Sequence, residues 1–237
     1  MLVAVTARAE LKPMMVVPGK LVIDEDFSKD VAELPKGDWV RRQGTRWAFE
    51  GGVLKGRPST AEYQAARSHH KGTEARLSLP RTPADFAASF RFRFVGGKET
   101  PIVPFVEFGH HVCRLRFSSE GTELLAEGES LRLAKATGLR FEPGKWYEVF
   151  TEMKGGEFVA QFEGGVIFYG RHASFAVPPK SGGNGIGFAG ATGGNVEVDD
   201  LKVWEVKKAY KAGWDARRSA FPGFEPQKIE KKWQGKK

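Results

Sequence analysis

Residues 83–94 read Pro-Ala-Asp-Phe-Ala-Ala-Ser-Phe-Arg-Phe-Arg-Phe, and the end of this stretch decides the fold. Phe90, Phe92 and Phe94 recur at a period of two with Arg91 and Arg93 between them. In an extended chain the three rings share one face and the two guanidiniums the other, whereas a helix would scatter the rings around its axis. The stretch therefore reads as a half-buried antiparallel strand. Residues 112–117 repeat the pattern, with Cys113, Leu115 and Phe117 on one face and Val112, Arg114 and Arg116 on the other. Residues 146–153 set Trp146, Glu148, Phe150 and Glu152 against Tyr147, Val149, Thr151 and Met153, and Gly155-Gly156 turns them into 157–162 as a hairpin.

Further strands follow at Gly164-Gly165 into 166–169, at 185–190 and at 196–206, a spacing of roughly 8 to 15 residues that suits an all-β sandwich. Only 207–220 has helical composition, ahead of Pro222-Gly223. The expected architecture is all-β: a two-sheet antiparallel sandwich over residues 21–206, for which the resemblance given below implies a jelly roll. A segment of residues 1–20 precedes it, and a basic, aromatic-containing extension of 207–237, helical or irregular, follows it. Of the 237 residues, 41% are hydrophobic, enough for one core, and no apolar run approaches the roughly 18 residues of a membrane span.

The formal charge of +8 is unevenly placed. Residues 207–237 hold ten Lys or Arg against Asp215, Glu225 and Glu230, a net of +7, while residues 1–206 carry 27 basic and 26 acidic groups, a net of +1. The body is nearly neutral and has no helix-turn-helix, zinc-finger or RNP-type signature, so specific nucleic-acid binding is not expected. Tyr210, Trp214, Phe221, Phe224 and Trp233 among the tail charges suggest a segment folded partly back onto the body. Cys113 is the single cysteine, so no intramolecular disulfide can form. The apolar start ending in Ala7-Arg8-Ala9 has the small-x-small form of a signal-peptide cleavage site without its basic leader, which points to a periplasmic or extracellular protein. The sequence carries no signal of oligomeric state.

Asp24-Glu25-Asp26-Phe27, Trp39 and the run Trp47-Ala48-Phe49-Glu50-Gly51-Gly52-Val53-Leu54 resemble the opening of concanavalin-A-like jelly rolls of the 3-keto-disaccharide hydrolase domain family. Residues 86–94, Pro143-Gly144-Lys145-Trp146-Tyr147 and Val198-Asp199-Asp200-Leu201-Lys202-Val203-Trp204 continue the resemblance over residues 21–206. It extends to laminin-G-like domains and, more distantly, to family 16 glycoside hydrolases. Residues 108–114 resemble a subgroup of commonly exported bacterial proteins. The implied function is an exported carbohydrate-binding or glycoside-hydrolase-like domain acting on a saccharide at the concave face of the sandwich. The alternative is a noncatalytic laminin-G-like interaction module that binds a protein or polymer. The Glu-x-Asp-x-x-Glu strand of family 16 is missing; the nearest string, Glu197-Val198-Asp199-Asp200-Leu201-Lys202, ends in Lys. The Asn-Ser-Gly-Ile strand common in 3-keto-disaccharide hydrolases is also missing.

Two neighbouring groups of residues carry candidate chemistry. Glu107, His110, His111, Arg114 and Arg116 lie on or beside one strand, and Glu62, Arg67, His69 and His70 on a preceding segment. Alternation places His110, Arg114 and Arg116 on one side and His111 on the other. On a concave face His110, Arg114, Arg116 and Arg67 can fork hydrogen bonds to sugar hydroxyls or carboxylates, with Glu107, Glu62 or His111 as acid or base. Tyr63, Trp47 and Trp146 are aromatics that can stack on sugar rings, although a strand Trp is more often core. No cofactor is required. Adjacent histidines on a strand diverge, which disfavours zinc, so the metal candidate is a structural calcium on the hard oxygens of Asp24, Glu25, Asp26 and Asp199, where related jelly rolls join first and last strands.

Overall fold

The computed structural model describes residues 11–34, 39–79, 82–176 and 185–229. In chain order the first strands are β1 (Val16–Glu25), β2 (Val40–Arg41), β3 (Arg46–Phe49) and β4 (Leu54–Arg57), followed by the one-turn helix α1 (Ala61–Ala65). Next come β5 (Arg76–Ser78), β6 (Phe86–Val95), β7 (Phe105–Phe108), β8 (Cys113–Ser118), β9 (Gly121–Ala126) and β10 (Leu131–Ala136). The remainder is β11 (Tyr147–Lys154), β12 (Glu157–Phe162), β13 (Ile167–Arg171), β14 (Ile186–Ala189), β15 (Asn195–Tyr210), α2 (Trp214–Ala220) and β16 (Gln227–Lys228).

Among the described residues these strands form two eight-stranded sheets. The first runs β13-β12-β11-β6-β15-β4-β3 with β1 also on β15, and the second β16-β10-β9-β8-β7-β14-β5-β2. Every pairing is antiparallel. The two-sheet antiparallel sandwich expected from the alternation, with the jelly roll implied by the resemblance, is the fold.

β6 lies in the middle of the first sheet, between β11 and β15. Phe86, Ala88, Phe90, Phe92 and Phe94 all point from it into the single inter-sheet core. Phe92 stacks on Tyr147 of the neighbouring strand at 5.2 Å and meets Phe117 of the opposite sheet edge-on at 5.4 Å, an arrangement aromatic pairs favour. Cys113, Leu115 and Phe117 of β8 close the core from the other side, as their period of two predicts. Burial raises the Cys113 thiol well above its usual range, so this cysteine is a packing residue.

A second apolar cluster lies on the outer face of the first sheet. There Met15, Val16 and Trp214, from the two ends of the described chain, cover Ala87, Phe150 and Val159. The tail departs from expectation: 207–210 extend β15, and the helix starts only at Trp214. β1 pairs along this extension, with Val16 opposite Tyr210, so ladder hydrogen bonds outweigh the helical composition of these lysines. Residues 1–10 and 230–237, with the cleavage-like Ala7-Arg8-Ala9 and Trp233, lie outside the described residues.

Candidate functional site

The second sheet turns a row of charged side chains outward from its central strands. β7 sets Phe105 and Glu107 on this face, because Val106 and Phe108 are taken by the core. β8 sets Arg114 and Arg116 beside them, with Glu107 opposite Arg114 and Phe105 opposite Arg116. The Ser119-Glu120 hairpin then brings Glu123 of β9 opposite Arg116.

Arg114 is the centre of a buried network. Its guanidinium pairs with Glu107 at 2.9 Å and Glu127 at 2.7 Å, and it lies 3.8 Å from the centroid of the Phe105 ring. Arg76 of β5 lies over the same ring at 5.2 Å and faces Glu74 at 3.5 Å. The Glu107 carboxylate also meets His110 Nδ1 at 3.1 Å. Burial pushes this carboxyl up, but the His110 hydrogen bond and the Arg114 charge outweigh that, and Glu107 is held well below the usual carboxylate range. Among the described residues the buried Arg114 Nε has no hydrogen-bond partner. Gly187 of β14 leaves the space for Glu107, since a Cβ there would come within 2.7 Å of its Cγ.

Next to this network a more accessible run crosses β8, β9 and β10. Arg116 Nη2 donates to Glu123 at 2.5 Å and Arg132 Nη1 to the other carboxylate oxygen at 2.8 Å. The two arginines hold Glu123 below its ordinary value against the opposing effect of burial. Arg132 also donates to Gln227 of β16, so the tail reaches this face.

His110 and His111 sit in the turn between β7 and β8, closed by the Val112 N–H on Gly109 O. The turn replaces the strict alternation expected there: the two rings lie 4.1 Å apart, and His111 Nδ1 is 3.5 Å from an Arg114 nitrogen. His111 adopts φ +60°, in the left-handed region where glycine and asparagine are at ease. Desolvation first, then the positive charges of His110 and Arg114, push the His111 imidazole down to about 4.

The other residues expected at the site lie apart from it. Glu62 and Tyr63 belong to α1, where the Thr60 hydroxyl caps the Tyr63 N–H; Glu62 is exposed, and Arg67 lies over Tyr63 at 4.3 Å. None of their hydrogen bonds or ion pairs reaches β7 or β8. Nor do His69 and His70, whose rings lie 5.1 Å apart on an exposed loop. Trp47 is a core residue, 3% exposed, its indole N–H on Thr45 Oγ1 and Arg76 O, so it offers no free ring face. Trp146 stands on the outer face of the first sheet, between the guanidiniums of Arg91 and Arg93 at 5.0 and 4.7 Å.

The four acids read as calcium ligands are separately engaged. Asp199 pairs with Arg91 and Asp24 with Lys202 at 3.6 Å, while Glu25 and Asp26 accept the backbone N–H of Phe27 and Ser28. Among the described residues no three His, Cys, Asp or Glu side chains are grouped to hold a metal ion.

Phe105, Arg76, Glu123, Glu127 and Arg132 complete the site although the sequence reading did not single them out. For Glu123 a signal existed: Arg116 and Glu123 are symmetric about Ser119-Glu120, as a two-residue hairpin requires.

No protein-family model and no curated protein matches the chain. Among solved structures, a non-specific endo-β-1,3(4)-glucanase from glycoside hydrolase family 16 superposes with a TM-score of 0.53 at 9% identity, covering 83% of this chain and 95% of that one. A glycosyl hydrolase family protein from Mycobacterium fortuitum superposes with a TM-score of 0.50 at 13% identity, covering 78% and 100%. At these identities the likeness concerns the fold, which is that of the concanavalin-A-like jelly rolls.

Proposed function

We propose that the chain is a noncatalytic carbohydrate-binding sandwich whose saccharide lies across Arg116, Glu123 and Arg132, with the Arg114–Glu107 network fixing the strands beneath. The observation that carries this reading is the charged run across β8–β10. Paired guanidinium and carboxylate groups on rigid central strands offer donors and acceptors at set spacings, which suits vicinal hydroxyls. The strained His111 turn at the end of these strands fits the same reading, since left-handed non-glycine residues concentrate at functional positions.

Hydrolysis is the weaker reading on chemical grounds. Glycoside hydrolysis in the usual two-carboxyl manner needs one carboxyl kept protonated, with its affinity for the proton raised. Glu107 and Glu123 are both shifted the other way, Glu107 by the His110 hydrogen bond and Arg114, Glu123 by Arg116 and Arg132. Export belongs to the same proposal. Cleavage after Ala9 would leave intact the buried residues Met15 and Val16, and the mature N-terminus of secreted material checks it by mass spectrometry.

The binding test is calorimetry and polysaccharide pull-down with laminarin, mixed-linkage β-glucan, xylan and levan, with reducing-sugar release followed in parallel. Saturable binding without sugar release, lost in Arg116→Ala/Arg132→Ala, is the expected result. Binding that survives the double variant, or turnover of any of the four, would overturn the proposal. Retention of a protein ligand by the same double variant would favour the interaction-module alternative.

A further inference from the structure

Charge is segregated along the outer face of the second sheet. At one end a single guanidinium, Arg114, faces two carboxylates, Glu107 and Glu127. Across β8–β10 the ratio is reversed, and Arg116 and Arg132 share the one carboxylate of Glu123. Burial pushes the Glu123 carboxyl up, but the hydrogen bonds from Arg116 and Arg132 outweigh it and keep the group ionised. Two positive charges against one negative leave an excess of one positive charge. Lys135 stands opposite Glu123 in the β9–β10 ladder, on the same face, and adds a further cation. Its own partner, Glu120, lies 3.8 Å away with its side chain 84% exposed, a loose contact in water.

Exposure is divided unevenly as well. The Arg116 and Arg132 side chains are 24% and 25% exposed, against 11% for Glu123. Arg116 turns Nε and Nη2 to a single oxygen of Glu123, and among the described residues its Nη1 makes no hydrogen bond. Arg132 places Nη1 on the other oxygen and Nη2 on Gln227. A molecule settling on this run therefore meets guanidinium edges, with the compensating carboxylate less accessible than either.

Resting on the carbohydrate-binding reading, we propose that the ligand of this run is an anionic saccharide, one whose carboxylate or sulfate group is held by Arg116, Arg132 and Lys135. A neutral saccharide would cover the excess charge without answering it, and desolvating an unanswered charge opposes binding. An anionic oxygen answers it with charge-assisted hydrogen bonds, which are about twice as strong as neutral ones. The acid-rich Arg114 end repels the same group, which fixes the orientation: anion at the Glu123 end, hydroxyls toward Glu127.

The experiment titrates the full chain by calorimetry with two pairs of tetrasaccharides: tetragalacturonate and its methyl ester, and a sulfated galactan tetrasaccharide and its desulfated form. The charged member of at least one pair should bind about tenfold or more tighter than its uncharged counterpart, and which pair does so separates carboxylate from sulfate. The difference should shrink when NaCl rises from about 50 to about 500 mM, because partly exposed charges are screened. It should grow in Glu123→Gln, which leaves both guanidiniums unanswered, and vanish in Arg116→Ala/Arg132→Ala. If Glu123→Gln does not fold by circular dichroism, the comparison within each pair on the unmodified chain decides. No preference within either pair, or a preference for the uncharged members, would overturn the ligand class; binding of neutral glycans in the same assay would show that the carbohydrate-binding reading stands. A preference that survives the arginine double variant would overturn it too, since the anion would then lie elsewhere, as on the basic tail. Absence of binding by all four and by laminarin, mixed-linkage β-glucan, xylan and levan would remove the carbohydrate-binding reading and this ligand class with it.

Discussion

The Arg114 side chain is 9% exposed and neutralises two carboxylates at once. Arg114→Ala leaves Glu107 as a buried charge without its guanidinium partner, and removing one partner of a buried pair costs about 3–5 kcal/mol. The midpoint of urea unfolding should fall accordingly, and Arg114→Met combined with Glu107→Leu should recover most of the loss, because the desolvated charge leaves with its partner. His111 sets the pH response. Its imidazole is pushed down to about 4 in the fold, against about 6.5 in the unfolded chain, so the unfolded state binds more protons between these values. Stability therefore declines as pH drops from about 6.5 to about 4. The depressed Glu107 carboxyl adds a second loss below about 4.3, where the unfolded chain begins to take up its proton. Melting temperature against pH should show both stages, and His111→Gln should abolish the upper one. By NMR the His111 midpoint should lie near 4 and rise in Arg114→Gln, which removes a repelling charge.

At the scale of the element, β14 and β11 each have one residue that positions others. Gly187 leaves room for Glu107, and its backbone pairs with that residue across the β7–β14 ladder. Gly187→Ala should cost about 1–3 kcal/mol, as overpacking does. It should also raise the proton affinity of Glu107 by displacing it from His110 and Arg114, readable as an upward move of the acid limb of the melting curve. Glu152 does for residues 14–16 what a neighbouring strand would do, supplying acceptors to consecutive amides. Burial raises its carboxyl above the ordinary value while those amides pull it back. Glu152→Ala leaves those donors unmet, at about 1–3 kcal/mol for each buried group. Hydrogen exchange at residues 14–16 should accelerate, while exchange in β6 stays slow.

Over the whole molecule the tail acts as a clasp between the two sheets. α2 buries Trp214 against the first sheet, Phe221 stacks on Tyr169 at 4.7 Å, and Arg218 pairs with Glu157 at 2.8 Å. β16 then joins the edge of the second sheet at β10, with Lys228 Nζ on Glu129 O. Truncation after residue 211 should lower stability by at least the about 3–5 kcal/mol of a lost buried Trp. It should also weaken saccharide binding on the second sheet, because Arg132 loses Gln227. Calorimetric melting and the polysaccharide titration check the two effects separately.

Strand identity, facing and the fold class were legible in the residues themselves: the period of two in 90–94 and 112–117 and the glycine pairs of the hairpins are local facts that any extended chain must obey. The Arg114–Glu107 and Arg116–Glu123 pairs lie within hairpins, and their arginines could be read in advance. Only the tertiary structure could join Arg132 to Gln227, Arg91 to Asp199 or Glu152 to the amide of Met15, partners 95, 108 and 137 residues apart. Alternation says which face a side chain takes but not which strand lies beside it. Strand order follows from how the whole core packs, and with it the choice between core for Trp47, exposed helical turn for Glu62 and charged network for Glu107.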